Sequence, residues 1–193
     1  MQLASRPILI IIRGVPGSGK SVVAIALQQA LGSKRVVLLD PDAIDYTSSA
    51  YASHVKSCIA EGVDPALYAY RYLRAQAYDA IAAHEIIIWN QPFTNLEIFN
   101  KMVGRLRDKA AECQTQLQML LIEVDIDPLV AKRRVEERMQ TGGHGPSDGT
   151  LQKRFDEYET FAGTGYQVVS VQGEDPVALS VEKIKQALDK LRV

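Results

Sequence analysis

The chain has 193 residues, 47% of them hydrophobic and 23% charged, and its formal net charge at pH 7 is −1. This composition is ordinary for one soluble globular domain with a sizeable core, and the charge argues against a general affinity for nucleic acid or anionic membranes. No apolar run approaches the ~18 residues of a membrane span. The two cysteines, Cys58 and Cys113, have no paired spacing. We therefore expect reduced thiols in a cytoplasmic protein that folds as a single domain over residues 1–193.

A phosphate-binding motif lies between the first predicted strand and the first predicted helix. Residues 7–13 form a short apolar run typical of a buried strand. Residues 21–31 are predicted to form a helix that ends at Gly32. The segment between them fits the Walker A pattern G-x-x-x-x-G-K-[ST] at every fixed position and consists of Gly14, Val15, Pro16, Gly17, Ser18, Gly19, Lys20 and Ser21. The apolar residues expected to share one face of the helix are Val22, Ile25 and Ala26.

The residue types of this motif suit the phosphates of a nucleotide. Glycine has no Cβ, so the backbone can turn sharply and its N–H groups can approach phosphate oxygens at the positive end of the helix dipole. Lys20 is expected to contact the β- and γ-phosphates, and the Ser21 hydroxyl is expected to bind Mg²⁺. The alternative is a glycine-rich turn without a ligand, and the flanking strand and helix argue against it.

Two acidic residues follow the second predicted strand, residues 35–39. They are Asp40 and Asp42, separated by Pro41, which interrupts regular hydrogen bonding and places them on a turn. The strand–helix–strand order implies a parallel sheet, in which the carboxyl ends of the strands share the edge where ligands bind. One carboxylate could help to hold Mg²⁺ while the other accepts a proton from an attacking hydroxyl. The alternative is a turn with two solvated acids.

A mostly helical insertion rich in tyrosine is predicted over about residues 46–83. It contains six of the eight tyrosines, namely Tyr46, Tyr51, Tyr68, Tyr70, Tyr72 and Tyr78. Pro65 is expected to open the longer helix. Tyr68 and Tyr72 are one turn apart on it, and a second face contains Arg71, Arg74 and Tyr78. We interpret the insertion as a wall of the acceptor-substrate site, with tyrosines stacking on a ring and arginines meeting an anion. Helix packing through tyrosine, with the arginines in solvent, is an equal alternative.

No acidic residue directly follows the third predicted strand, residues 85–89. Many motor ATPases have the Walker B aspartate at this place, so its absence argues against an ATPase that polarises water with a carboxylate there. Thr94 and Glu97 form a capping-box pair for a helix that runs to about residue 111. A sequence in that helix begins like the guanine-binding N-K-x-D motif, but Val103 replaces the aspartate, which argues against a GTPase.

An arginine-rich helix follows the fourth predicted strand, residues 117–124. Asp127 and Pro128 are predicted to start it, and it is expected to run through Gln140. Its arginines and its apolar stripe are Arg133, Arg134, Arg138 and Ala131, Val135, Met139. With the glycine-rich segment 141–146 it suits a lid over about residues 128–148, which would bring guanidinium groups to the transferring phosphoryl group as the site closes. The alternative is a solvated helix face in which Arg133 pairs with Glu137.

The remaining elements complete an alternating pattern of helices and strands. A helix is predicted from Asp148 through Phe161 and a fifth strand over residues 166–171. Asp175 and Pro176 are expected to open a last helix that runs to Leu191. Five strands alternating with helices predict a doubly wound α/β sandwich around a parallel sheet.

These motifs resemble those of the P-loop small-molecule kinases over nearly the whole chain. This family includes gluconate kinase, polynucleotide kinase and the zeta-toxin sugar-nucleotide kinases, and the D-x-D of residues 40–42 is most similar to the zeta-toxin group. The resemblance implies a three-layer α/β/α P-loop NTPase sandwich with strand order 2-3-1-4-5. It also implies that Asp42 is the base on the acceptor hydroxyl and that Arg134 lies beside the transferring phosphate, with Arg138 as the nearest substitute for a second lid arginine. The residues that stand where that group has an acid and a threonine are Trp89, Asn90 and Gln91.

We therefore expect an ATP- and Mg²⁺-dependent phosphotransferase that moves the γ-phosphoryl group to a hydroxyl of a small molecule, which in a zeta-toxin-like enzyme is a sugar nucleotide. Lys20 and the loop amides would hold the phosphates, and Ser21 with Asp40 would organise Mg²⁺. One alternative is a 5′-hydroxyl polynucleotide kinase, and another is a nucleotide-dependent regulatory ATPase that binds a protein partner. A zeta-like toxin would also have a protein antitoxin.

Overall fold

The structure, a computed structural model, describes residues 6–32, 35–142 and 148–191. In this part of the chain five parallel strands form one sheet in the order β2-β3-β1-β4-β5, which confirms the predicted order. The strands are β1 (Ile8–Arg13), β2 (Val36–Leu39), β3 (Ile86–Asn90), β4 (Gln118–Asp125) and β5 (Val168–Gln172). The helices are α1 (Lys20–Leu31), α2 (Ser49–Ala60), α3 (Tyr68–Ala82), α4 (Leu96–Glu112), α5 (Pro128–Gln140), α6 (Asp148–Asp156) and α7 (Val177–Leu191).

Helices cover both faces of the sheet, and β1 lies at its centre with all six of its residues buried. Alternate side chains of β1 face opposite sides, as in any strand. Ile8, Ile10 and Ile12 pack in one cluster with α1 and α7, whereas Leu9 and Ile11 pack in another with α3 and α4. These two clusters are the core of a three-layer α/β/α sandwich, so the predicted fold class is confirmed.

The buried face of α1 differs from the prediction. Val23, Ala24 and Leu27 pack against the sheet, whereas Val22 is 56% exposed and Ile25 is 48% exposed. Positions 23, 24 and 27 have the three- and four-residue spacing of one helical face. The loop before α1 determines which face this is, because it fixes where the helix begins and turns Lys20 and Ser21 toward the sheet edge. The predicted face, which contained Val22 and Ile25, was therefore wrong.

Three other local predictions also differ from the structure. Asn95, not Thr94, caps α4, because the Asn95 side chain accepts a hydrogen bond of 3.0 Å from the backbone N–H of Ile98. Met139 does not extend the buried stripe of α5, since it is 44% exposed. The sixth helix ends at Asp156 rather than at Phe161. The chain leaves the helix there because residues 159–161 bond to side chains at the carboxyl ends of β1 and β4.

Part of the predicted lid lies outside the described residues. The structure describes α5 and the turn through Gly142, and it resumes at Asp148. The predicted glycine-rich segment 141–146 therefore falls mostly outside the described residues. Within the described residues, no helix has the length and apolar character needed to cross a membrane.

Candidate functional site

The phosphate-binding motif forms the connection between β1 and α1, as predicted. Gly17 and Gly19 have positive φ angles of 85° and 91°, which L side chains rarely adopt. Gly19 also caps α1, and its carbonyl accepts the backbone N–H groups of Val22 and Val23. A Cβ at Gly17 would overlap the carbonyl of Ala131 in α5. Glycine is therefore required at position 17 both by its φ angle and by the close approach of α5.

A second glycine outside the motif closes the loop from the side of β5. The N–H of Gly173 donates to the carbonyl of Asp125 at 2.7 Å, and a Cβ at Gly173 would overlap the carbonyl oxygen of Ser18. Ser18 is fully buried, and its Oγ has no hydrogen-bond partner among the described residues. Sequence analysis missed Gly173, although a glycine directly after a predicted strand was available as a signal.

Lys20 lies between the loop and the two acids that follow β2. Burial lowers the pKa of the Lys20 ammonium, while the carboxylates of Asp42 and then Asp40 act in the opposite direction. The guanidinium of Arg138 adds a smaller lowering influence on the same pKa. These influences place Lys20, Asp40, Asp42 and Arg138 in one electrostatic neighbourhood, as expected of a site that binds phosphate.

Asp40 and Ser21 are joined by the side chain of Asn90. Asp40 caps the 3₁₀ turn Pro41–Ala43, because its Oδ1 accepts the N–H of Asp42 at 2.9 Å. Its Oδ2 accepts Asn90 Nδ2 at 2.6 Å, and the same amide nitrogen donates to Ser21 Oγ at 3.0 Å. The structure thus brings the two predicted metal ligands together. Sequence analysis assigned no role to Asn90, the last residue of the strand between β1 and β2.

The residues at this point fit a magnesium ion. Mg²⁺ prefers oxygen ligands and is usually held by one or two carboxylates together with phosphate oxygens and waters. Ser21 offers a hydroxyl and Asp40 a carboxylate, and the buried Asn90 Oδ1 has no partner among the described residues. Within the described part of the chain, no group of three or more His, Cys, Asp or Glu side chains is arranged to hold a metal ion. A cation here would therefore depend on a bound nucleotide for some of its ligands.

The two candidate lid arginines occupy different positions on α5. Arg134 Nη1 donates to the carbonyl of Gly173 at 2.9 Å and lies 3.5 Å from the carbonyl of Gly17. Arg138, one turn later, is exposed but close enough to Lys20 to lower its pKa. Arg134 thus fastens α5 to the loop, whereas Arg138 interacts with the loop through its electrostatic influence on Lys20.

A cavity of about 280 Å³ lies beside Asp40, between the 3₁₀ turn and α3. Its polar lining consists of Asp40, Asp45, Ser48, Tyr72 and Gln76. All but Asp40 and Asp45 belong to, or cap, the helices of the predicted insertion, α2 and α3. The insertion therefore forms one wall of a cavity next to the acids.

The tyrosines and arginines of the insertion are placed unequally around this cavity. Tyr72 lines it, and the centroid of its ring lies 5.2 Å from the centroid of the Tyr51 ring in an edge-on contact. Arg71 forms an ion pair of 2.7 Å with Glu61, and Arg74 lies over the ring of Tyr70 at 5.6 Å. In the described part of the chain the cavity lining contains no arginine. The contacts of Arg71 and Arg74 therefore favour the alternative that the insertion is packed through its tyrosines, and not the prediction that these arginines bind an anion.

Directly before the loop, Arg13 forms a buried anchor. It is fully buried, and its Nη1 lies 2.6 Å from Glu123 Oε1 on β4. Its remaining N–H groups donate to the carbonyls of Pro92, Phe93 and Glu159. The anchor therefore ties the end of β1 to the β3–α4 connection and to the segment after α6.

Aromatic rings and a second set of bonds complete the anchor. The Arg13 guanidinium lies between the rings of Phe161 and Tyr158, at 3.6 and 4.4 Å from their centroids. Glu123 accepts hydrogen bonds from the Phe161 N–H at 2.8 Å and from the Thr160 hydroxyl at 3.0 Å. Burial raises the pKa of the Tyr158 phenol. The segment after α6 is thus fixed to the ends of β1 and β4, next to the loop.

The loop between β1 and α1, at the carboxyl edge of a parallel sheet with order 2-3-1-4-5, defines a P-loop domain. Residues 9–159 match the family described as "AAA domain", and the chain belongs to that family. No curated protein matches this sequence.

Several solved structures have the same fold. A gluconokinase from Sinorhizobium meliloti 1021 is 21% identical, with a TM-score of 0.58 and coverage of 98% of this chain and 94% of that one. A sugar kinase from Janibacter sp. HTCC2649 is 18% identical, with a TM-score of 0.60 and coverage of 96% and 95%. Kti12 from Chaetomium thermophilum, in complex with ADP-AlF3, is 16% identical, with a TM-score of 0.61 and coverage of 95% and 98%. At these identities the likeness shows the fold, and the resemblance to the zeta-toxin group stays a prediction.

Proposed function

We propose that the protein is an ATP- and Mg²⁺-dependent phosphotransferase that moves the γ-phosphoryl group to a hydroxyl of a small molecule. The main support is one arrangement of side chains at the start of α1: Lys20 interacts electrostatically with Asp42 and Asp40, and Asn90 joins Ser21 to Asp40, which lines a polar cavity. Two of the similar structures are a gluconokinase and a sugar kinase, and a third holds ADP-AlF3.

Each residue has a distinct role in the proposed reaction. The loop amides and Lys20 hold the β- and γ-phosphates, and Ser21 and Asp40 hold Mg²⁺, which neutralises charge on the phosphate oxygens. Asp42 is exposed at the turn and accepts the proton of the attacking hydroxyl. Arg138 neutralises charge that develops on the transferring group, while Arg134 keeps α5 against the loop.

The cavity beside Asp40 is the proposed acceptor site. Its volume of about 280 Å³ is slightly below the range of ~300–1,000 Å³ typical of small-molecule pockets. Carboxylate, hydroxyl and amide groups line it, and such groups bind a molecule rich in hydroxyls. These features favour an acceptor the size of a sugar, and a sugar nucleotide would extend beyond the cavity. A protein antitoxin remains a prediction of the zeta-toxin resemblance alone.

Transfer of labelled phosphate tests the proposal directly. The protein is incubated with γ-labelled ATP, Mg²⁺ and panels of sugars, sugar nucleotides, nucleosides and 5′-hydroxyl oligonucleotides, and the labelled product is identified. We expect label on a small-molecule hydroxyl. Label that appears only as free phosphate would instead support a regulatory ATPase, and label on oligonucleotides with steep salt dependence would support a polynucleotide kinase.

The role of Asp42 is tested with Asp42→Asn. The amide keeps the size of the side chain but cannot accept the proton, so we expect ATP binding to persist and phosphoryl transfer to fall by about 100-fold or more. Asp64→Asn is the control, because Asp64 is, like Asp42, an exposed aspartate at a 3₁₀ turn, in its case the separate turn Pro65–Leu67. Transfer at a nearly full rate by Asp42→Asn would show that Asp42 is not the base.

A further inference from the structure

We infer that Asn90 is a positioning residue that holds the side chains of Ser21 and Asp40 together so that both can bind one divalent cation. This inference rests on the proposed function, since it concerns the same site. Neither the Walker A motif nor the D-x-D of residues 40–42 indicates a third residue, whereas the position, hydrogen bonds and burial of Asn90 do.

The strand order places Asn90 between the two groups that it joins. β3 lies between β2 and β1, and Asn90 is its last residue, paired in register with Ile12 on β1. On the other side, Trp89 pairs with Leu39, the residue before Asp40. The side chain of Asn90 therefore projects at the edge where the loop and the acidic turn meet, and it is only 3% exposed.

The hydrogen bonds of Asn90 orient the side chains of Ser21 and Asp40 and leave both side chains able to bind a cation. A carboxylate can only accept, so the amide nitrogen must face Asp40, and its two hydrogens go to Asp40 Oδ2 and Ser21 Oγ. The Ser21 oxygen accepts this bond with one lone pair and keeps another. Asp40 is held at both oxygens, since its Oδ1 accepts the Asp42 N–H. The pair is thus organised before any cation arrives.

The amide oxygen of Asn90 can also contribute to a cation site. Asn90 Oδ1 is buried without a partner in the described part of the chain, and a buried acceptor without a bond costs about 1–3 kcal/mol. Mg²⁺ keeps several of its waters when bound to proteins, and a water of that kind is a donor. The unpartnered oxygen therefore suits a site that is completed by a hydrated cation.

A neutral amide suits this position better than the residues most similar to it. Leucine would leave Asp40 Oδ2 and Ser21 Oγ without their shared donor. Aspartate would place a second carboxylate against Asp40 where a donor now lies at 2.6 Å, and two like charges at such a distance repel each other. Asparagine therefore leaves a single carboxylate in the pair and binds it from the side away from solvent.

The test measures metal dependence of nucleotide binding, not activity. The affinity for ADP is measured by calorimetry in EDTA and over a Mg²⁺ titration, for the wild type, Asn90→Leu, Asn90→Asp and the control Gln91→Leu. Gln91 is the matched control because its amide lies at the same strand end but accepts from Trp89 Nε1 rather than contacting Ser21. Thermal unfolding of each variant shows whether it is folded.

The two Asn90 variants should change nucleotide binding in different ways: one should weaken the binding of Mg²⁺, and the other should weaken the binding of ADP without Mg²⁺. Loss of a group that orients a metal ligand typically weakens metal binding ~10–100-fold, so Asn90→Leu should raise the apparent Mg²⁺ dissociation constant by about that factor, with ADP affinity in EDTA nearly unchanged. Asn90→Asp should weaken ADP binding in EDTA and make it depend more steeply on Mg²⁺. Gln91→Leu should match the wild type in both measurements.

Other outcomes would overturn the inference, and they separate it from the proposed function. If the wild type depends on Mg²⁺ and neither Asn90 variant alters that dependence, Asn90 has no positioning role while the proposed function stands. The same conclusion follows if both variants merely unfold at a lower temperature. If ADP binding by the wild type does not respond to Mg²⁺, both the inference and the proposed function are wrong.

Discussion

The buried anchor around Arg13 predicts an unusually large loss of stability from one substitution. Arg13→Met keeps a long unbranched side chain between the rings of Phe161 and Tyr158 but removes the charge and every N–H donor. The Glu123 carboxylate, with a 4% exposed side chain, then loses its only ion-pair partner in the described structure. Three carbonyl groups lose a donor at the same time.

The expected loss of stability in Arg13→Met is large because the Glu123 carboxylate stays buried without its counter-ion. Removing one partner of a buried ion pair typically costs ~3–5 kcal/mol, because the other charge stays buried and uncompensated. A domain of ordinary stability has only ~5–15 kcal/mol in total. Arg13→Met should therefore remove a large part of the free energy of unfolding. Replacing Glu123 by glutamine in the same chain removes the stranded charge and keeps an acceptor for the Phe161 N–H, so the double variant should be more stable than Arg13→Met alone.

Urea unfolding followed by circular dichroism measures these differences. The control is Lys101→Met, which breaks an ion pair of 2.7 Å between side chains that are 67% and 75% exposed and should cost less than about 1 kcal/mol. If Arg13→Met and Lys101→Met have similar effects, the anchor contributes little and the reasoning fails. If adding Glu123→Gln does not recover stability, the loss does not come from an uncompensated charge.

Two further predictions concern the loop. Gly173→Ala should weaken ADP binding and lower the free energy of unfolding by about 1–3 kcal/mol, because its Cβ would overlap the Ser18 carbonyl. The control is Gly104→Ala in α4, which has open space around it and should raise the free energy of unfolding by ~0.5–1 kcal/mol. Equal effects of the two substitutions in urea unfolding would refute the steric explanation. ADP affinity should fall as pH rises through the lowered pKa of Lys20, because only the protonated ammonium attracts phosphate. Asp42→Asn removes the largest influence that opposes this lowering, so the fall should begin at lower pH, and calorimetry that finds the same alkaline limb in both proteins would contradict it.

Much of the site could be predicted because its signals are local in the sequence. The Walker A motif occupies eight consecutive residues, and Asp40 follows its strand directly. Because the carboxyl ends of parallel strands share one edge, the convergence of Ser21 and Asp40 followed from strand order alone. The structure confirms this convergence and adds Asn90, whose side-chain amide bonds to both residues.

The residues that were missed act through contacts between distant parts of the chain. Asn90 contacts Ser21 across 69 residues and Asp40 across 50, and no sequence spacing indicates such pairs. Arg13 is the last residue of the predicted strand, residues 7–13, and nothing near it in the sequence indicates a buried guanidinium. The error on α1 has a different origin: Val22 and Ile25 are apolar, but only the geometry of the preceding loop decides which side of the helix faces the sheet.

The Arg13 anchor also restricts the order in which the molecule can assemble. Arg13 precedes Glu123 by 110 residues and Glu159 by 146, and ribosomes release chains from the amino end. The central strand therefore leaves the ribosome long before the groups that neutralise its terminal cation, and contacts of such long range form slowly. Nascent chains that stop before β4 would have β1 without one of its two neighbouring strands and without a counter-ion, so native structure in the middle of the sheet must await the synthesis of β4 and of the segment after α6.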